Sequence, residues 1–183
     1  MLKTLVMRFG QRAKIPTLAV WSNFRYPYRV TVIISGRGWM AADRRVTSDD
    51  GASSSLVKIA KNPWLIAAAS GNATSTLDVR RAVRKGAWTP EDLIKHVDSG
   101  SHALVLLPSG DVHRIEDGRV WPAERGLQGI GSGADLALGM LWAWKADWDS
   151  AYGLKTLVRD AFKFVSSRRA DCGGGMDFRF FPL

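Results

Sequence analysis

The sequence predicts an α+β domain of four layers, with two stacked antiparallel sheets each covered by a pair of helices. Strand patterns come in runs and helical patterns in pairs: four strands, two helices, three or four strands, two helices, one strand. That grouping argues against alternating βαβ winding. Short turns containing Gly, Pro or Asn separate the strands, as hairpins require. The 183 residues fit one domain and are enough to bury a substantial core.

From position 31 the pattern is regular. Segments 31–35 and 39–42 read as strands joined by the tight Gly36-Arg37-Gly38 turn. The polar stretch 49–55 reads as a loop, and 56–60 and 64–69 as a second hairpin turning at Asn62-Pro63. Gly71-Asn72-Ala73 opens a helix to about Lys85, with Leu77, Val79 and Val83 among its apolar positions. Thr89-Pro90-Glu91-Asp92 predicts another helix start: a capping hydroxyl, proline in the first turn and acids near the positive end of the dipole. Strands follow at 102–107, 111–115, 119–121 and 127–131, then helices over 134–145 and 150–167, and a last strand at 176–181.

Composition narrows the function. No apolar run reaches the ~20 residues a membrane helix needs. One cysteine, Cys172, excludes an internal disulfide framework and fits a reducing, cytoplasmic setting. The net charge of +9 suggests nucleic acid until it is mapped. Residues 1–30 hold Lys3, Arg8, Arg12, Lys14, Arg25 and Arg29 and no acid; the remaining 20 basic and 17 acidic side chains nearly balance. The chain therefore divides into a basic leader, 1–30, and a domain, 31–183. The leader lacks a clear period and is interrupted by Pro16 and Pro27. It has no apolar stretch followed by a small-residue cleavage site, so a secretory signal is not expected. A propeptide, a disordered arm and translated sequence upstream of the true start stay open.

From Thr31 to its end, the chain resembles the proteasome β-type and HslV-type peptidases in their short bacterial and phage form. Thr31-Val32-Ile33-Ile34 resembles the strand that starts with the nucleophile. Met40-Ala41-Ala42-Asp43-Arg44-Arg45-Val46-Thr47 resembles the stretch that runs from an aspartate to a threonine. Lys58-Ile59 matches the family's lysine and following aliphatic residue, Gly71 its glycine after a hairpin, and Ile130-Gly131-Ser132-Gly133 its later serine turn. The resemblance implies the αββα sandwich of the N-terminal nucleophile hydrolases, assembly into a homo-oligomeric ring, a peptide or unfolded-protein substrate and a separate ATPase unfoldase. It implies no cofactor, and the sequence has neither a metal-ligand cluster nor a phosphate-binding glycine loop.

The chemistry accounts for these residue types. A hydroxyl needs a base to take its proton in the transition state. A threonine at a chain start carries one, its α-amine, whose ordinary pKa near 7.7–8 suits the task. By resemblance, Lys58 favours deprotonation of Thr31, Asp43 holds Lys58, and the Gly71 N–H stabilises the oxyanion. Ser132 supports the amine, Thr47 binds the extended substrate backbone, and Ala69 shapes a roomy apolar specificity pocket.

Two departures stand out. Arg169 lies where the family has an aspartate, and Cys172 where it has a hydroxyl three positions on; either Asp171 substitutes from two positions away or the network that supports the amine is weakened. Val30 precedes Thr31 where propeptides are cut after glycine, and the turn needed for self-cleavage suits valine poorly. If Val30 is encoded by GTG, translation could instead begin there, and removal of the initiator methionine would expose Thr31. Three other functions remain: a non-catalytic ring subunit, a small-molecule amidase of the same fold, and a nucleic-acid module using the arm's arginines with Trp21, Phe24, Tyr26 and Tyr28. The tryptophans at 142, 144 and 148 cannot all share one helical face, so one is expected at an assembly contact.

Overall fold

The computed structural model describes residues 29–30, 32–47, 52–124, 126–144 and 151–181, the first two and residues 151–152 by backbone alone. Strands β1 (Arg29–Val30), β4 (Arg45–Thr47) and β5 (Ser53–Ser55) form a small sheet in the order β1-β4-β5. A four-stranded sheet runs β11-β2-β3-β12, from Gln128–Ile130, Ile33–Gly36, Trp39–Asp43 and Met176–Phe180. A five-stranded sheet runs β10-β9-β8-β7-β6, from Arg119–Pro122, Val112–Glu116, His102–Leu106, Ile66–Ser70 and Ile59–Lys61. All strand pairings among the described residues are antiparallel.

Three apolar layers follow from the two-residue period of the strands. Ile33, Met40 and Ala42 of one sheet meet Ile66, Ala68, Leu104 and Leu106 of the other. The alternate residues Val32, Ile34 and Ala41 face Ala137 and Leu141 of α2 (Ala134–Ala143) and Val158, Ala161 and Val165 of α3 (Ala151–Arg168). On the far side, Ala67, Ala69, Ala103 and Val105 face Val79 and Val83 of α1 (Ala73–Arg84) and Leu93 of a 3-10 helix, Glu91–His96. This is the four-layer αββα sandwich the sequence predicts.

Local differences have local causes. Segment 53–55, expected as loop, is strand β5, because the edge of β4 gives its serines a ladder (Arg45↔Ser55, Thr47↔Ser53). Residues 56–58, expected as strand, are irregular, and β6 starts only at Ile59. The second helix is a short 3-10 turn whose entry is closed by Asp92, not the Thr89 hydroxyl: its carboxylate accepts the N–H of Trp88 (2.8 Å) and Thr89 (3.0 Å). Asn62 makes the expected turn, accepting from the N–H of Trp64 and Leu65. Its amide also donates to the Val83 and Ala87 carbonyls, which satisfies the open end of α1.

Gly173, Gly174 and Gly175 all have positive φ (129°, 72° and 93°), which glycine adopts without strain. They bring the chain against the β3–β4 corner, where the N–H of Arg45 donates to the Gly173 carbonyl (2.8 Å). No helix among the described residues is long and apolar enough to cross a membrane.

Candidate functional site

The site is built around Asp43, the last residue of β3. Its side chain is 1% exposed and Lys58, just before β6, is 0% exposed; their ion pair closes on Asp43 Oδ1. The same oxygen accepts the N–H of Val32 (3.2 Å), and Oδ2 accepts the N–H of Gly173 (2.9 Å). Val32 is covalently joined to Thr31, which lies outside the described residues. Asp43 therefore links three segments that sequence separates widely: the start of the β2 strand, Lys58 and the turn before β12.

Among the described residues, Lys58 Nζ makes one hydrogen bond, to Asp43. Burial holds its proton affinity below that of an ordinary lysine, against the pull of Asp43, with smaller contributions from Cys172 and Asp177 in the same direction as Asp43. The result is a desolvated cation held in one place, the arrangement that lowers the cost of forming an alkoxide nearby.

Ser132 follows β11 and precedes α2. Its hydroxyl donates to Asp171 Oδ2 (2.7 Å). Arg169 Nε and its second nitrogen donate to the two oxygens of the same carboxylate, at 3.1 and 3.3 Å. Partial burial raises the carboxyl's pKa, but the bonds from Arg169 and Ser132 outweigh it and hold Asp171 below the usual value. Asp171 is thus the acid facing Ser132, with Arg169 as its counter-ion. Sequence spacing alone left this open. The turn around Ser132 is tight: a β-carbon on Gly133 would fall 2.6 Å from Val32 Cγ2 and 2.8 Å from Cys172 Sγ. Cys172 is buried, with its thiol 3.7 Å from Asp171 Oδ1.

Gly71 follows β7 with φ +118°, so only glycine fits its backbone there without strain. Thr47 ends β4, and its Oγ1 is buried with no hydrogen-bond partner among the described residues. Ala69 is fully buried and packs toward α1, while its carbonyl accepts the Thr76 hydroxyl (3.0 Å). Strand β1 pairs with β4 (Arg29↔Thr47, Val30↔Val46) and also lies against β7. The structure thus brings together Asp43, Lys58, Val32 and Gly173, and, two residues before that glycine, Asp171 with Ser132. Thr47 and the Gly71 strand flank the two residues that lead to Thr31.

Sequence reasoning did not identify Arg44, whose guanidinium grips Asp177 Oδ1 at 2.9 and 2.6 Å and ties the β3 corner to β12. The Asp43-Arg44-Arg45 run gave no sign of which charge turns inward.

This architecture defines the class: the chain has the fold of the N-terminal nucleophile hydrolases. Its solved structural neighbours include eukaryotic HslV from Trypanosoma brucei, at 20% identity over 81% of this chain and 98% of that one, with a TM-score of 0.62. Anbu from Hyphomicrobium sp. strain MC1 matches at 13% identity over 82% of each chain (TM-score 0.63). The Thiobacillus denitrificans protein BPH matches at 20% identity over 84% of this chain and 98% of that one (TM-score 0.59). No family profile matches the sequence, and no curated protein matches it. At these identities the likeness establishes the fold.

Proposed function

We propose that this chain is a threonine-type peptidase subunit of a self-compartmentalising ring, cutting peptide bonds with the Thr31 hydroxyl once its amine is free. One observation carries the reading: the buried Asp43–Lys58 pair, whose acceptor oxygen also binds the N–H of Val32. A fully buried ion pair is an expensive way to support a strand end. It is well suited to activating the hydroxyl of the residue next to Val32. The α-amine takes the hydroxyl's proton, Lys58 stabilises the charge that develops, and the Gly71 N–H receives the oxyanion. The Ser132–Asp171 hydrogen bond then orients the amine. Its presence argues that the Arg169 and Cys172 departures leave this support intact.

The unpartnered Thr47 hydroxyl and the ladder capacity of β4 suit an extended peptide or unfolded-protein segment laid beside β4. Assembly as a homo-oligomer fits the exposed side of α2, where Leu136 and Trp142 are exposed. A cytoplasmic setting and a separate ATPase unfoldase belong to the same reading.

A second reading rests on β1. Residues 29–30 occupy one edge of β4 and β5 the other, so while the leader is attached no edge of β4 is left for substrate. A subunit that keeps its leader is then latent or purely structural.

N-terminal sequencing of the native product, with a fluorogenic peptide assay of wild type and Thr31→Ala, tests both. A chain starting at Thr31, active in wild type and inactive in the variant, is expected. A native chain that keeps residues before Thr31 and cleaves no peptide supports the structural subunit instead.

A further inference from the structure

The turn carrying Gly71 is held by a second segment, residues 98–101. Ser101 is 2% exposed and lies directly against Gly71: a β-carbon on the glycine would fall 2.4 Å from Ser101 Oγ and 2.7 Å from Ser101 Cα. The Ser101 hydroxyl accepts the N–H of Asn72 at 3.2 Å. Asn72 in turn is locked on both sides. Its side-chain carbonyl accepts the Ser75 N–H (2.7 Å) and its side-chain amide donates to Asp98 Oδ2 (2.9 Å). The circuit is completed by the Asp98 N–H, which donates to Ser75 Oγ (3.0 Å). Within 98–101, the Ser101 N–H donates to the Asp98 carbonyl (2.9 Å), so the second segment is itself a closed turn.

The circuit has a mechanical consequence. Gly71 has no side chain of its own to anchor it, and its φ of +118° lies where the backbone is soft for glycine. The direction of its N–H is therefore set by what holds the peptide on either side. Before it, β7 is fixed by its ladder with β8, Ser70 opposite His102. After it, the Asn72 N–H is fixed by Ser101 Oγ, and the Asn72 side chain by Asp98.

We infer that Ser101 is a positioning residue that aims the Gly71 N–H, and that the Asn72–Asp98 contact latches it from the surface. Ser101 touches no reacting atom. The inference rests on the assignment of Gly71 as oxyanion donor in the proposed reaction. Removing such a donor outright costs about 10²–10³ in kcat. Loosening its aim costs less, about tenfold, because the N–H still samples the productive direction.

The test uses the assembled enzyme with Thr31 at its N-terminus. Ser101→Ala removes the buried acceptor. Asp98→Ala removes the latch from an exposed position, and Asp98→Asn keeps an oxygen there. The measurements are kcat and KM on a fluorogenic peptide, and Kd for two ligands sharing one peptide: a boronate that becomes tetrahedral on the threonine hydroxyl, and an uncleavable amide. Both alanine variants are expected to lose about tenfold in kcat and to weaken the boronate by a similar factor, with the amide ligand within twofold. Asp98→Asn is expected to recover most of the loss. If kcat and boronate affinity stay within twofold in both alanine variants, the inference is overturned. Equal weakening of both ligands also overturns it, since that marks a general loss of structure. If wild type and Thr31→Ala are equally inactive, the peptidase reading fails and takes this inference with it; an active wild type with normal Ser101→Ala removes this inference alone.

Discussion

Neutralising one member of the Asp43–Lys58 pair is expected to cost far more than neutralising both. In Asp43→Asn the Lys58 ammonium stays fully buried and loses the negative charge that compensates it, keeping at best a neutral amide oxygen as acceptor. The cheapest escape is deprotonation. From an ordinary lysine value of 10.5, losing the proton at pH 7 costs about 4.8 kcal/mol at 1.36 kcal/mol per pH unit. That figure bounds the electrostatic loss from above. In Lys58→Met the carboxylate keeps the N–H bonds from Val32 and Gly173, so the expected loss is smaller, about 3 kcal/mol. The double variant carries no buried charge. Its cost is an imperfectly matched amide facing two N–H donors, about 2 kcal/mol. The two single losses sum to about 8 kcal/mol against 2 for the double, a coupling well above the ~3 kcal/mol usually found for neighbouring residues; relaxation will reduce it, to no less than about 3 kcal/mol. The assay is urea unfolding at pH 7 and one fixed protein concentration, in a Thr31→Ala background, so that neither self-cleavage nor mass action moves the midpoint. Additivity within about 0.5 kcal/mol would refute the claim that the two charges depend on each other. All three variants, returned to a native Thr31, are expected to be inactive.

Asp171→Ala removes the acceptor shared by Ser132 and Arg169; kcat is expected to fall about tenfold with KM little changed, and unaltered kinetics would show that the hydrogen bond has no part in the reaction. Because the folded pKa of Asp171 lies below its ordinary 3.8, its stabilisation is full above 3.8 and is lost as pH falls through the lower folded value. Acid unfolding of the variant should therefore lack that part of the wild-type slope. Gly71→Ala places a β-carbon 2.4 Å from Ser101 Oγ at φ +118° and is expected to lose about 10²-fold or more in kcat; a fully active variant would exclude Gly71 as the oxyanion donor. Leu136→Glu with Trp142→Glu puts charge on the exposed side of α2 and is expected to yield smaller species in sedimentation; an unchanged assembly would move the subunit contact elsewhere. Deleting residues 1–30 with a methionine before Thr31 clears the edge of β4 and should raise peptide cleavage above that of the full chain in a fluorogenic assay.

The strand runs, the helix pairs and the hairpin turns were legible because each rests on local physics. A two-residue period, Asn62 turning the chain and Asn72 capping α1 act within a few positions. The short 3-10 helix was less legible, since Asp92 and Thr89 are both credible caps and only the folded turn selects Asp92. Strand β5 was hidden for the opposite reason: three serines carry no strand pattern of their own, and only the edge of β4 gives them one. In the site, the residue types of Asp43, Lys58, Gly71 and Ser132 stood out by their order along the chain. The partner of Ser132 did not, because a turn of three positive-φ glycines decides which of positions 169 to 172 swings toward it.

The sequence by itself determined the layers and nominated the residues, because side-chain periodicity and short-range spacing are properties of the chain. Only the tertiary structure decided that Lys58 and the Val32 N–H share one oxygen of Asp43, that Asp171 is the acid facing Ser132, and that residues 29–30 lie along β4. Each of these joins segments from 11 to 39 positions apart or sets an edge pairing, and burial and backbone geometry, not local propensity, choose among such contacts.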